Sequence, residues 1–361
     1  MRKLGWLAFA SLLIFGACPR DAYAQFKNGG QATELNLPTL SQRAVVIQRI
    51  GLTDITIVYH APLAGGRELF GKTVPYGQVW RAGANENTTI SFVDDVSVEG
   101  HPLPSGTYGL HMIPNADEWT IIFSKNSTSW GSFSYDEKED ALRVKVKPQT
   151  GESHEALAYT FDDTKPESTT ATLHWAKIAV PFHISVDAKA TTQRSIKNQL
   201  RNTAGFSWAG YDEAGNWSLD NNYDLEQGLK WEDISIQNEE RFDNLETKSR
   251  ILDALGKKQE AAALLSQALD KANAIQLYVY ARGLQRQKQQ DKAFDIYRQD
   301  AKKFPNHWIT HIGTVRIDVA AGKFDDAVKE MKIAIDTAPD QQKPFLQPLL
   351  KRVEAKDDIN K

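Results

Sequence analysis

The sequence predicts a multi-domain β + α chain, an antiparallel β-sandwich followed by an α-helical repeat solenoid. Three observations carry this: apolar residues alternate with period two from Arg43 to Val186, they follow the helical period from Asp187 onward, and the second half repeats itself at about 34 residues. A length of 361 residues suits about two domains. With 41% hydrophobic and 25% charged residues, the chain is globular rather than disordered, collagen-like or a multi-span membrane protein.

Residues 1–24 follow the secretory pattern: Arg2 and Lys3, an apolar stretch from Leu4 to Ala17, and Ala22-Tyr23-Ala24 as a small-residue exit. The stretch is 14 residues long, short of the roughly 20 that a spanning helix needs. An exported protein, periplasmic or secreted, is therefore expected, with Gln25 as its new start and residues 25–42 as a linker. The alternative is a lipoprotein anchored at Cys18, because Phe15-Gly16-Ala17-Cys18 loosely resembles a bacterial lipobox. Cys18 is the single cysteine, so cleavage leaves neither a thiol nor a disulfide, and thiol catalysis and Cys-ligated zinc are excluded. A net charge of −3 lacks the basic balance of a nucleic-acid binder, and no transmembrane segment is expected once the signal is removed.

In residues 43–186 the sets Ile55/Ile57/Tyr59, Ile90/Phe92, Tyr108/Leu110/Met112, Trp119/Ile121/Phe123, Leu142/Val144/Val146, Leu157/Tyr159/Phe161, Leu173/Trp175 and Ile178/Val180/Phe182/Ile184/Val186 each line one face of a strand. Glu99-Gly100, Pro104-Ser105-Gly106, Pro114-Asn115 and Thr150-Gly151 supply turns. Nine or ten short strands without intervening helices predict a sandwich.

Residues 187–238 read as an aromatic-rich helical connector, with Trp208, Tyr211, Trp217, Tyr223 and Trp231 gluing the two halves together or stacking on carbohydrate. In residues 239–361 three similar helices open on Gly256 to Ala261, Lys288 to Ala293 and Gly322 to Ala327. The alanines lie 32 and 34 residues apart, and each is followed four residues later by a large side chain, Leu265, Tyr297 or Met331. Closing prolines follow at Pro305 and Pro339. Trp308, Ile312, Val315 and Val319 form one face of a partner helix, and residues 340–355, with Phe345, Leu346, Leu349 and Leu350, form a capping helix. The pattern resembles the tetratricopeptide repeat (TPR). TPR-like repeats imply a protein partner, or a brace for the sandwich.

Chemistry is sparse. G-x-S-x-G, P-loop, H-E-x-x-H and EF-hand patterns do not occur, so no cofactor and no metal set is expected. His307 and His311 have ligand spacing on a helix, but the residues between them hold no Glu base. The polar loop from His60 to Asn87 is too long for a plain connection, and it gathers His60, Arg67, Arg81, Asn85 and Glu86, a set suited to a small polar or anionic ligand. The bland reading is that Arg67 and Arg81 tie the loop to its own carbonyls. His111 points away from Tyr108, Leu110 and Met112, beside Thr107 and Gly109, where a shallow depression would form.

The string from Pro75 through Trp80-Arg81-Ala-Gly-Ala-Asn85-Glu86-Asn-Thr-Thr-Ile-Ser-Phe92 resembles the signature of the family termed domain of unknown function 2911. So do Gly106-Thr-Tyr-Gly-Leu-His111-Met-Ile-Pro, Glu118-Trp-Thr-Ile-Ile-Phe-Ser and Trp130-Gly-Ser-Phe-Ser-Tyr135-Asp136-Glu-Lys-Glu-Asp-Ala-Leu-Arg-Val. The resemblance runs from about Gly51 to Val186, and it implies an exported bacterial protein with helical repeats after the domain. It marks Trp80, Arg81, Gly83, Asn85, His111, Trp130, Tyr135 and Asp136 as typical positions and implies no activity.

The leading expectation is an exported, non-enzymatic binding protein. Its sandwich takes a ligand at His60, Arg67, Trp80, Arg81, Asn85, Glu86, His111, Trp130, Tyr135 and Asp136, and its repeats contact a protein. The alternatives are a hydrolase-type enzyme using His60, Arg81, Glu86 and His111, or a glycan-binding protein.

Overall fold

A computed structural model describes residues 38–360. The expected signal peptide, Cys18 and residues 25–37 of the expected linker lie outside the described residues. The first half contains β1 (Gln42–Ile50), β2 (Thr53–Ala61), β3 (Thr89–Phe92), β4 (Val96–Val98), β5 (His101–Leu103), β6 (Gly106–Ile113), β7 (Trp119–Ser124), β8 (Asp140–Val146), β9 (Gln149–Lys165) and β10 (Ser168–Ser185). One sheet runs β1-β2-β3-β6-β7-β8 and the other β5-β4-β10-β9, with antiparallel pairing throughout. Their inner faces share one core, in which Trp119, Phe123, Trp175 and Phe182 are fully buried.

β10 shows how the alternation survives an irregular strand. Leu173 and Trp175 face the core at odd positions and Val180, Phe182 and Ile184 at even ones. The parity changes at Ala176, whose φ of 49° marks a bulge where the register against β9 slips. The last two apolar sets of the sequence are therefore one strand. Thr150-Gly151, expected to be a turn, lies inside β9, and the chain passes from one sheet to the other at Lys147-Pro148.

The texture change at Asp187 is a helix start: its side chain accepts from Ala190 N at 2.9 Å and caps α1 (Ala188–Gln199). A 3₁₀ turn (Thr203–Phe206) follows, then α2 (Trp208–Asp220), α3 (Leu225–Asn238), α4 (Phe242–Ala254), α5 (Lys258–Lys271), α6 (Ala274–Arg286), α7 (Gln290–Lys303), α8 (Trp308–Ala320), α9 (Phe324–Thr337) and α10 (Lys343–Glu354). The helices pack as consecutive pairs, α2/α3, α4/α5, α6/α7 and α8/α9, with α10 against α9, a TPR-like arrangement. Ala261, Ala293 and Ala327 sit in the first turns of α5, α7 and α9 and are buried. Tyr297 and Met331 beside them are fully buried, whereas Leu265 is only half-buried, so the first repeat is packed more loosely than its spacing suggested. A Cβ on Gly313 would lie 2.9 Å from the Tyr297 ring, so only glycine lets α8 approach α7 this closely.

Two further expectations are corrected. Residues 187–238 are not a simple connector, because α2 and α3 form a pair that stacks on α4. Their aromatic residues pack among the helices: Trp217 meets Tyr223 at 5.8 Å, the Arg241 guanidinium covers Trp208 at 4.7 Å, and Trp231 is buried. The bracket between the halves is α1. It meets the sandwich through Ala188 at Gly51 and the Arg194–Asp94 ion pair (3.1 Å), and it meets the α2–α3 turn through Lys189 to Asn221 O (2.8 Å) and Gln193 to Asp224 (2.5 Å). In the capping helix Phe345 is 76% exposed, while Leu346 and Val353 are buried. Finally, His307 caps α8 rather than lying on it, accepting from Ile309 N at 3.3 Å, and His311 bonds Glu330 at 2.7 Å.

Candidate functional site

The long loop between β2 and β3 is fastened to both sheets. Ala64 N donates to Glu155 O (2.7 Å), Leu157 N to Pro62 O (2.9 Å) and Gly77 N to Pro114 O (2.9 Å), while Trp80 and Met112 exchange two backbone bonds of 2.8 Å. Leu69, Val74 and Ala82 are buried with the sandwich core. Trp80 stacks on Trp175 at 5.7 Å and 14°, with Phe70 and Trp119 edge-on, so this site candidate packs as part of the core. Arg67 donates to Ala64 O (3.0 Å) and Leu63 O (2.5 Å) of its own loop.

The remaining candidates fall into two groups. His60 Nδ1 lies 3.2 Å from Glu86 Oε2, and burial lowers the imidazole pKa against the opposing pull of Glu86. Arg81 belongs elsewhere. It donates to the carbonyl of Asn85, a residue held in the left-handed region at φ 57°, and lies 5.5 Å from the Phe133 ring. Burial lowers its pKa. Gly131, with φ 63°, has no room for a side chain, because a Cβ would sit 2.5 Å from Arg81 Nη1.

His111 lies on the outward face of β6, as its parity requires, yet it is only 1% exposed. The depression expected beside it is filled by a roof, residues 125–139. Nδ1 of His111 bonds Ser132 Oγ at 3.1 Å, and the Tyr135 ring stands edge-on at 5.4 Å. Asn87 anchors the near side of the roof by donating to Ser129 Oγ (2.9 Å) and Asn126 O (3.3 Å). At the far side Tyr135 donates to Asp140 (2.6 Å), and Arg143 donates to both the Tyr135 hydroxyl and Asp140 (2.5 Å each). Asp136 caps the 3₁₀ turn Glu137–Glu139 by accepting from Lys138 N at 3.0 Å. Trp130 and Phe133 project outward, 59% and 82% exposed.

Burial drives the His111 pKa down to about 4, with Arg81 adding to the shift and Asp140 opposing it. Burial, then the bond to Asp140, pushes the Tyr135 hydroxyl up to about 12. Both rings are therefore neutral at ordinary pH. Asn87 Oδ1 and Asp140 Oδ1 are buried without a hydrogen-bond partner. His60 is thus paired with Glu86, while His111 is sealed under the roof with Arg81 near enough to lower its pKa. Sequence reasoning missed Asn87, Ser132, Asp140 and Arg143; the last three stand inside the Trp130 to Val144 motif, where only Trp130, Tyr135 and Asp136 had been marked. Among the described residues no group of three or more His, Cys, Asp or Glu side chains is placed to hold a metal.

This geometry coincides with a recognised block of sequence. Residues 41–184 match DUF2911, a family described as a protein of unknown function. The matched stretch contains the whole sandwich apart from the last residue of β10, and with it both polar groups. No curated protein matches the chain. Among solved structures, the chain is similar to the crystal structure of YrrB, described as a TPR protein with an unusual peptide-binding site, at 12% identity and a TM-score of 0.26, over 45% of this chain and 86% of that one. Among the described residues no helix is long and apolar enough to cross a membrane.

Proposed function

We propose that this chain is an exported, non-enzymatic binding protein whose helical repeats hold a protein partner. The observation that carries this reading is an uncovered row on α6: Ile275 and Val279, one turn apart, are 47% and 56% exposed, and Arg286 continues the same side two turns on. An apolar segment of a partner suits this row. The enzyme alternative draws little support from a neutral His111 sealed under its roof. A second reading, a small polar ligand under the roof, draws on Asn87 Oδ1 and Asp140 Oδ1, two buried acceptors left without donors.

A photo-crosslinking residue at Val279 of the full chain, activated in cell-envelope extract, is expected to give one dominant adduct. Ile275→Asp should reduce it at least tenfold without altering the melting curve. An adduct of equal yield in Ile275→Asp, or none at all, ends the proposal.

A further inference from the structure

The outer face of the β9–β10 hairpin carries two imidazoles in contact. The His154 and His174 ring centroids are 4.8 Å apart, with planes 30° from parallel, and both residues are half-buried. Leu173 and Trp175 point into the core, so His174 points out. The register slip around Ala176 places His154 opposite Ala176, two residues along from His174.

Behind His174 stands a hydrogen-bond relay. Thr160 Oγ1 donates its one proton to Asp162 Oδ2 at 2.8 Å, so the same oxygen must accept from Nε2–H of His174 at 2.9 Å. Thr172 Oγ1 donates to the same carboxylate oxygen at 2.9 Å and steadies it. The proton on Nε2 leaves Nδ1 of His174 with a free lone pair. A carboxylate that fixes the tautomer of a histidine from behind is how metal-ligating imidazoles are oriented, here with a hydroxyl inserted. The ring of His154 makes no hydrogen bond among the described residues, so its nitrogens are uncommitted. Burial and the neighbouring His154 hold the His174 pKa below its ordinary value, toward the neutral form that ligates.

We propose that His154 and His174 bind a divalent transition-metal ion, through Nδ1 of His174 and one ring nitrogen of His154. Imidazole donors rank copper(II) above zinc and nickel. No third His, Cys, Asp or Glu is placed to join them among the described residues, so water completes the coordination. Thr160 acts as a positioning residue through the tautomer it imposes.

The test is titration of chelator-treated full-length protein with copper(II) chloride, followed by calorimetry and electron paramagnetic resonance. Saturation at one equivalent is expected, with hyperfine structure from two imidazole nitrogens. His154→Asn and His174→Asn should each weaken binding at least tenfold, whereas His60→Asn should not. Thr160→Val should weaken it about tenfold, with Thr160→Ser restoring it. Absence of saturable binding, or binding unchanged in both histidine variants, overturns the site; the half-buried His154 variant guards against a folding defect in His174→Asn. Wild-type binding by Thr160→Val overturns the relay.

Discussion

Glu232→Gln should stabilise the helical half by roughly 3 kcal/mol at pH 7 and leave it unchanged at pH 4. Glu232, on α3, is completely buried, and neither carboxylate oxygen has a hydrogen-bond partner. It is pressed against α2, where a Cβ on Gly215 would lie 1.9 Å from Oε1. Burial, then repulsion from Asp212 and Glu246, pushes its pKa up to about 10, and the opposing Lys248 is already paired with Asp233 at 2.6 Å. The folded protein therefore keeps a proton that the unfolded chain surrenders near 4.5. Stability falls as pH rises from that value and levels off near pH 10, at about 1.4 kcal/mol per unit. Glutamine keeps the shape and removes the titration. Urea denaturation of both proteins at pH 4, 7 and 9 checks this, and a gap that does not widen with pH would show that the carboxyl is ionised in the folded state.

Gly109→Ala should lift the roof from the sandwich. Its new methyl would lie 2.5 Å from the carbonyl of Asn126, 3.1 Å from His111 Nε2 and 3.3 Å from the Asn87 amide. The first of these is backbone, so the start of the roof must move, at a cost of roughly 1–3 kcal/mol. The larger effect is exposure. His111, sealed in the wild type, should react with diethyl pyrocarbonate at least ten times faster, as peptide mapping would show. An unchanged rate would mean that the roof yields without opening. The same imidazole weakens the sandwich in acid. Its folded pKa of about 4 lies below the ordinary 6.5, so the unfolded chain takes up the proton first and stability is lost as pH falls from 6.5 toward 4.

Most of the sandwich was legible because burial repeats every second residue. The strands that were not singled out show the limit of that signal: β4 and β5 have three residues each, too few for a period, and β1 carries the run Val45-Val46-Ile47 with Ile47 exposed. The α2/α3 pair escaped because it lacks the alanine and bulky partner of the later repeats and carries Trp, Gly and Asn instead. At the site, parity placed His111 on the correct face but said nothing of its burial, since the cover comes from a segment some twenty residues away. His154 and His174 stand 20 residues apart and meet only because a bulge shifts the strand register.

The bracket α1 has a mechanical consequence. Its grip on either side is made of charged and amide groups, and apart from Ala188 it buries little apolar surface against the sandwich. Displacing one half against the other therefore trades these contacts for water at little cost, without uncovering either core. The joint is therefore the place where the two halves part most easily, each keeping its own core intact.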